Sequence, residues 1–450
     1  MSFHQKLTVL KSAPIKHSSS SDEAKKPPSP RPTLCSVRPL RMPLSSSNSD
    51  DEHCNFIRRK MIYSSSPPIP VLVSKSKNPD QMYLDQLHWV EKPWFLNQLT
   101  PNHKIGIYPD ELIYKVTDPN QVSFAIKVIP KTAIFDNPFL IHQLATQIQL
   151  QFGFKNEARS HNICPILSAS QDDNNLYICM QWANRGDLCT FLSKLSNHLK
   201  KIKNPVEHQN KKLNFASHLI KYWGQIKDTI AFLHQNNIAH LDIKPENVLR
   251  DLHNKKTRLL LSDFKFSQNL KYTPVGSSIY IGTDVWLPPE ILAIRLGDLP
   301  SNSFYDPKAV DYYMLGLLLY RMVMQRYFYN LPIQNEDPHV STYEQQKKFE
   351  SLRQSLLQKQ IQLFKIGEIN QFQHTPQFND IIFQKSPTLI KIICELLNWN
   401  PEKRSEYFNL QLNEDLSRLE KELSSSMPRL SPRFFPSQHI PTAELNKELL

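Results

Sequence analysis

The chain has 450 residues, enough for a buried core and for two or three domains. Lysine and arginine number 54 against 42 aspartates and glutamates, a net charge of +12. The basic residues are spread over an N-terminal run (Arg58-Arg59-Lys60) and one expected loop (Lys200, Lys201, Lys203, Lys211, Lys212) without a nucleic-acid motif. No specific nucleic-acid partner is therefore expected, only a solvated basic surface that favours acidic partners. The longest apolar run, Met314–Met324, is broken by Arg321 and falls short of the roughly 18 residues that span a bilayer, so no membrane insertion is expected.

The six cysteines (35, 54, 164, 179, 189 and 394) have neither CxxC pairing nor zinc spacing. Free thiols in a reducing compartment, cytoplasm or nucleus, are expected. The first residues, Met1–Lys16, carry His4, Lys6, Lys11 and Lys16 and lack the apolar stretch of a signal peptide.

Serine, proline and charge crowd the N-terminal region, as in Ser18–Ser21, Pro27–Pro32, Ser45–Ser49 and Ser64–Pro70. Such a stretch buries too little apolar surface to offset its chain entropy, and residues 1–100 are expected to be disordered. Ile105–Val116 then reads as two short strands and Val122–Ile129 as a third, rich in β-branched residues with the alternation of a half-buried strand. A helix is expected at Leu140–Phe152 and an apolar strand at Leu176–Ala183. Residues 213–235 place Phe215, Leu219, Trp223, Ile226, Ile230 and Leu233 at helical spacing. A short buried strand, Leu259–Leu261, follows, then a core helix continuing from Lys308 through Met324 and a last apolar helix at Ile390–Leu397. A serine- and proline-containing tail is expected over 419–450.

The most informative ten residues are His240-Leu-Asp-Ile-Lys-Pro-Glu-Asn-Val-Leu249. They hold a carboxylate, a lysine two residues on and an asparagine three beyond that, in a loop pinned by Pro245. Asp242 can accept a proton from an attacking hydroxyl, Lys244 can steady a transferring phosphate and Asn247 can hold a magnesium ion.

This loop resembles the H-R-D-L-K-x-x-N catalytic loop of eukaryotic protein kinases, with Leu241 in place of the arginine. Further matches occur in the family's order: Phe124-Ala-Ile-Lys127, Ser262-Asp-Phe-Lys265, Gly282-Thr-Asp-Val-Trp-Leu-Pro-Pro-Glu290, Asp311-Tyr-Tyr-Met-Leu-Gly316 and Arg404. The resemblance implies an α+β, bilobal protein-kinase-like fold over residues 101–418, with a small β-rich lobe at about 101–181 and a larger helical lobe at about 184–418. It implies a serine/threonine kinase that moves the γ-phosphate of ATP, with magnesium or manganese, onto protein hydroxyls; Lys244 favours serine or threonine over tyrosine.

By the same resemblance, Asp242 and Lys244 act in catalysis. Lys127 and Gly106 meet the ATP phosphates, Met180 lies behind the adenine, and the Gln181–Ala183 backbone meets its edge. Asp187 reaches the ribose, Asn247 and Asp263 hold the metal, and His240, Thr283, Glu290, Asp311 and Arg404 support the site. Buried ion pairs are costly to break from one side, and both Glu290 and Arg404 are retained.

The chain departs from the family where nucleotide is gripped. The glycine-rich turn reads Gly106, Tyr108, Glu111; the helix that should present a glutamate offers Gln147, Gln149 and Gln151; Lys265 replaces a glycine. The alternative function is a pseudokinase serving as a scaffold or allosteric binding module. Leu241 implies that phosphate on Ser267, Tyr272, Thr273, Ser277 or Ser278 is not the main switch. Regulation is expected instead through the tails, where upstream kinases would act at Ser29-Pro30, Ser66-Pro67, Ser431-Pro432 and Ser47-Asn-Ser-Asp-Asp-Glu52.

Overall fold

Among the described residues, five helices begin on an asparagine or aspartate followed by proline: α1 (Pro79–Asp85), α3 (Pro138–Gly153), α5 (Pro205–Gln235), α7 (Pro307–Met324) and α10 (Pro401–Leu410). In each, the Asn or Asp side chain accepts a backbone N–H of the first turn, and proline takes a position where its missing N–H costs nothing. The structure, a computed structural model, describes residues 78–105, 112–134, 137–154, 158, 160–253, 256–276, 281–296, 299–328 and 378–426. Gly106, Tyr108, Glu111, Ser277, Ser278 and the Ser-Pro sites of both tails lie outside these residues.

The first lobe is a five-stranded sheet in the order β1-β4-β5-β3-β2, formed by β1 (His88–Trp89), β2 (Leu112–Thr117), β3 (Ser123–Pro130), β4 (Ile166–Gln171) and β5 (Asn175–Gln181). All pairings are antiparallel except β1 with β4. The short α2 (Lys131–Ile134) leads from β3 to α3, whose Ile141, Leu144, Ala145 and Ile148 are buried in a core shared with Ile166, Leu176 and Ile178.

Residues 78–100, expected to be disordered, carry defined structure; residues 1–77 lie outside the described ones. Helix α1 packs on α3, with Leu84 buried among the α3 side chains. The Gln171 side-chain nitrogen donates to the carbonyls of Leu84, Asp85 and Leu87 at 3.2, 3.1 and 3.0 Å. Phe95 meets Tyr177 edge-on at 5.3 Å, and Gln98 exchanges two hydrogen bonds with the backbone of Thr117 at 2.9 and 2.8 Å. Buried aromatic and aliphatic surface explains why this segment is ordered although it adjoins a Ser/Pro-rich run.

The second lobe contains α4 (Leu188–Lys200), α5, β6 (Ile238–Ala239), the hairpin β7 (Val248–His253)–β8 (Lys256–Leu261), β9 (Gln268–Asn269), α6 (Pro289–Leu296), α7, α8 (Ile381–Lys385), α9 (Pro387–Leu396), α10 and α11 (Leu412–Ser426). Helix α5 starts at Pro205, so Lys211 and Lys212 lie on a helix and not in the expected loop, and Lys212 pairs with Asp380. Helix α11 carries order past residue 418, burying Leu419 and Leu423. Every residue of α7 from Ala309 to Met324 is buried, as befits a helix with apolar residues on every face and only Asp311 and Arg321 charged within it. At Gly316 an added Cβ would stand 2.9 Å from the Leu396 Cβ, so glycine sets the close approach of α7 and α9. The second core gathers around α7, and the Trp223 indole donates to the Leu315 carbonyl at 2.9 Å.

Candidate active site

Strand β6 delivers the chain to His240–Asn247, and Asp311 on α7 grips the backbone there. Its carboxylate accepts the N–H of His240 at 2.8 Å and that of Leu241 at 2.7 Å. Leu241 has a left-handed backbone, φ 65°, which is costly for a side chain of this kind and is held by those two bonds. Its side chain is 1% exposed and packs in the second core. His234, which the motifs do not mark, also bonds the Asp311 carboxylate at 2.8 Å and the Tyr312 hydroxyl at 3.0 Å.

Asp242 is fully buried, and its carboxylate is the centre of a small network. Thr283 donates to Oδ1 at 2.9 Å and Asn247 donates to Oδ2 at 2.9 Å. The Lys244 ammonium donates to Thr283 at 2.7 Å and stands 3.2 Å from Asp242 Oδ2. Asn247 also donates to the Asp242 carbonyl at 2.8 Å, so its amide nitrogen is used on the loop while its side-chain oxygen remains an acceptor. His240 bonds the Ser262 carbonyl at 3.1 Å and meets Phe264 edge-on at 4.8 Å. Burial pushes the His240 imidazole pKa down, against the opposing pull of Asp311, Asp242 and Asp263.

Across the floor lies Asp263, at φ 62° before the single turn Phe264–Phe266, against which α3 packs. Lys127, in β3 opposite Ile113 and Ile178, places its ammonium 4.0 Å from Asp263 Oδ1. Lys265 stands 3.1 Å from Oδ2. Burial alone would raise the Asp263 pKa; Lys127, Lys265 and Lys244 outweigh it and hold the carboxyl well below the usual carboxylate range. Its Oδ1 is buried without a hydrogen-bond partner. That oxygen and the Asn247 side-chain oxygen are hard donors of the kind magnesium takes from protein while substrate phosphates and water supply the rest. Among the described residues no group of three or more His, Cys, Asp or Glu is placed to hold a metal by itself. The donor set thus fits a cation that arrives with phosphate.

Gln147, Gln149 and Gln151 of α3 offer no charge, and two of them are engaged within the first lobe. Gln149 is exposed; Gln147 donates to Gln151 at 3.2 Å, and Gln151 donates to the Cys164 carbonyl at 2.9 Å. Helix α3 is thus tied to the lobe by amides as well as by its buried apolar face and α1.

Met180 is buried in β5 between Ala125 and Ile166. The Gln181 side chain turns away to Asp251 at 3.0 Å, and Ala183 is buried at the connection between lobes. Asp187 caps α4: its two oxygens accept the Thr190 N–H at 2.7 Å and the Thr190 hydroxyl at 2.8 Å. Glu290 and Arg404 form a buried ion pair, and Arg404 also donates to the carbonyls of Ala309 at 3.1 Å and Asn398 at 2.6 Å. Ser267 is buried with its hydroxyl on the His240 carbonyl at 3.2 Å, whereas Tyr272 is 76% exposed. Cys164, Cys179, Cys189 and Cys394 are unpaired thiols; burial pushes Cys164 and Cys179 up to about 12.

A sheet lobe bearing Lys127 over a helical lobe bearing Asp242, Asn247 and Asp263 is the architecture of the protein kinases. Residues 103–413 match the protein kinase domain, and the chain belongs to that family. It is 24% identical over 388 residues to the serine/threonine-protein kinase ATG1 of Eremothecium gossypii, an alignment covering 76% of this chain and 35% of that one. It is 36% identical over 164 residues to the serine/threonine-protein kinase nekl-2 of Caenorhabditis elegans, covering 36% and 40%. It is 26% identical over 208 residues to human serine/threonine-protein kinase ULK3, covering 46% and 37%. The chain thus spans well under half the length of these relatives. Among the described residues no helix is long and apolar enough to cross a membrane.

Proposed function

We propose that this chain is an active serine/threonine protein kinase, transferring the γ-phosphate of ATP to protein hydroxyls. The observation that carries the proposal is the Asp242 network. A fully buried carboxylate is oriented on both oxygens by Thr283 and Asn247, with the Lys244 ammonium 3.2 Å away. In this account Asp242 orients the acceptor hydroxyl and takes its proton. Lys244 neutralises charge on the group in flight, and Thr283 keeps the two in register. Lys127 holds nucleotide phosphates from the sheet lobe. The Met180–Ala183 connection receives the base; Asp187, beyond its capping bonds, faces the sugar; Gly106 belongs to the turn over the phosphates.

Asn247 and Asp263 would hold magnesium, or manganese, which when bound neutralises phosphate charge and fixes its orientation. His240, Asp311, Glu290 and Arg404 keep the loop and its neighbours in place. Little covalent work falls to the protein, so positioning and charge suffice for the reaction. The retention of every polar side chain that meets acceptor, phosphate or metal favours this over a pseudokinase scaffold, although Tyr108, Glu111, the helix glutamines and Lys265 depart from the family pattern.

We further infer that the kinase domain occupies residues 101–418 with supporting segments on either side. Control by upstream kinases falls on the tails, because the side chain of Leu241 is buried and carries no charge for a neighbouring phosphate. The expected setting is cytoplasm or nucleus. Transfer of labelled phosphate from ATP to a generic protein, compared between wild type and Lys127→Arg, tests the proposal. Equal transfer by both would remove Lys127 from the account, and none by wild type would remove the activity.

A further inference from the structure

Asp263 faces a cation on each of its oxygens: Lys127 4.0 Å from Oδ1 and Lys265 3.1 Å from Oδ2. The second contact follows from local geometry. The left-handed backbone at Asp263 and the single helical turn after it bend the chain so that a side chain two residues on reaches back to the carboxylate. Both lysines are largely shielded, their side chains 17% and 29% exposed. A glycine at 265 would put no charge there.

The floor of the site therefore holds three ammoniums, Lys127, Lys244 and Lys265, against two carboxylates, Asp242 and Asp263. Without Lys265 the two signs would balance. The excess positive charge sits beside the residue suited to a divalent ion. Lysine binds phosphate as a point charge on a flexible stem, so an ammonium resting on a carboxylate can move to a phosphate oxygen without backbone rearrangement. Magnesium, by contrast, requires near-ideal octahedral geometry and gives up water reluctantly. An ammonium already on Oδ2 offsets the charge that Oδ1 would offer it.

We propose that Lys265 is a resident cation of the nucleotide site, so that a nucleoside triphosphate binds without divalent metal and a metal ion arriving at Asp263 Oδ1 must share the carboxylate with the Lys265 ammonium on Oδ2. The inference rests on the kinase reading for the identity of its ligand. It concerns binding, and its test reads binding alone.

The full chain is titrated with ATP by calorimetry, in excess EDTA and in saturating magnesium at equal ionic strength. Wild type, Lys265→Met and Lys265→Arg are compared, each checked for folding by its circular-dichroism melt. Removing metal should weaken wild type and Lys265→Arg by no more than about threefold, and Lys265→Met by about tenfold or more. The magnesium needed to restore half-maximal binding should exist only for Lys265→Met. A tenfold or greater loss by wild type in EDTA overturns the inference with no variant needed, as does an equal loss by wild type and Lys265→Met. In either case magnesium-dependent binding leaves the kinase reading standing. No binding by wild type in either condition overturns both.

Discussion

Gly282 lies against the carbonyl oxygen of Leu241: a Cβ at 282 would stand 2.7 Å from that atom. The glycine also adopts φ 58°, a left-handed conformation that a side chain resists. The loop at Leu241 and the segment at Gly282 are thereby joined, because the next residue, Thr283, bonds both Asp242 and Lys244.

Gly282→Ala should accordingly displace Thr283 from the network. We expect it to cost about 1–3 kcal/mol of stability through backbone strain. Phosphate transfer should fall with it, and more steeply than in a variant of equal stability loss far from the loop. Urea denaturation and initial rates on the same preparations make the comparison.

The Glu290–Arg404 pair predicts a large and one-sided stability effect. Glu290→Ala leaves the Arg404 guanidinium buried without its carboxylate, at about 3–5 kcal/mol. Glu207→Ala, which removes the exposed partner of Lys211 on α5, should change stability by no more than about 0.5 kcal/mol. Chemical denaturation separates the two.

The pH dependence of folding has a definite sign at His240. Burial lowers its folded pKa below the value of about 6.5 for an unperturbed imidazole. Between the folded and unfolded values the unfolded chain binds the proton and the folded chain does not, so stability rises with pH across that window. This contribution is present above about pH 6.5 and is lost as pH falls below it. His240→Phe should therefore lose less stability than wild type between about pH 7.5 and about pH 5.5 in denaturant melts.

The segment ahead of the sheet should prove structural. One amide nitrogen of Gln171 serves three carbonyls with two hydrogens, tying α1 and β1 to β4. Gln171→Leu keeps the side-chain volume and leaves those carbonyls without their donor, at about 1–3 kcal/mol. Hydrogen exchange should quicken over residues 79–89 before it quickens in β5.

The third strand, the core helices and the order of the motifs were legible because each depends on residue type and spacing, whereas residues 106–111 of the first expected strand pair lie outside the described residues. Val122–Ile129 alternates, and the stretch that became α7 is apolar but for Lys308, Asp311 and Arg321. The Asp242, Asp263, Glu290, Asp311 and Arg404 positions follow one another in an order that chance does not supply. The segment at 78–100 was missed for a physical reason. A seven-residue helix and a two-residue strand are too short to show periodicity, and they follow a run whose composition argues for disorder. Asn78-Pro79 did announce a helix start, as did Asn204-Pro205, where clustered lysines suggested a loop.

Other features depend on where a side chain lands, which spacing alone does not tell. Lys265 reads in sequence as a lost glycine and in space as a partner of Asp263. His234 reads as one more helix residue, yet it shares the Asp311 carboxylate with the loop. Asp187 kept its place in the motif order, but both its oxygens are engaged by Thr190.

The most direct test of the account is the initial rate of labelled phosphate transfer from ATP to a generic protein substrate by wild type and Asp242→Asn, in magnesium. The substitution keeps the shape of the buried side chain and removes its capacity to take a proton. The account predicts measurable transfer to serine and threonine by wild type, lowered about 10²–10⁴-fold in Asp242→Asn with its melting temperature little changed. Equal rates from the two proteins, or no transfer by wild type that binds ATP, would contradict it.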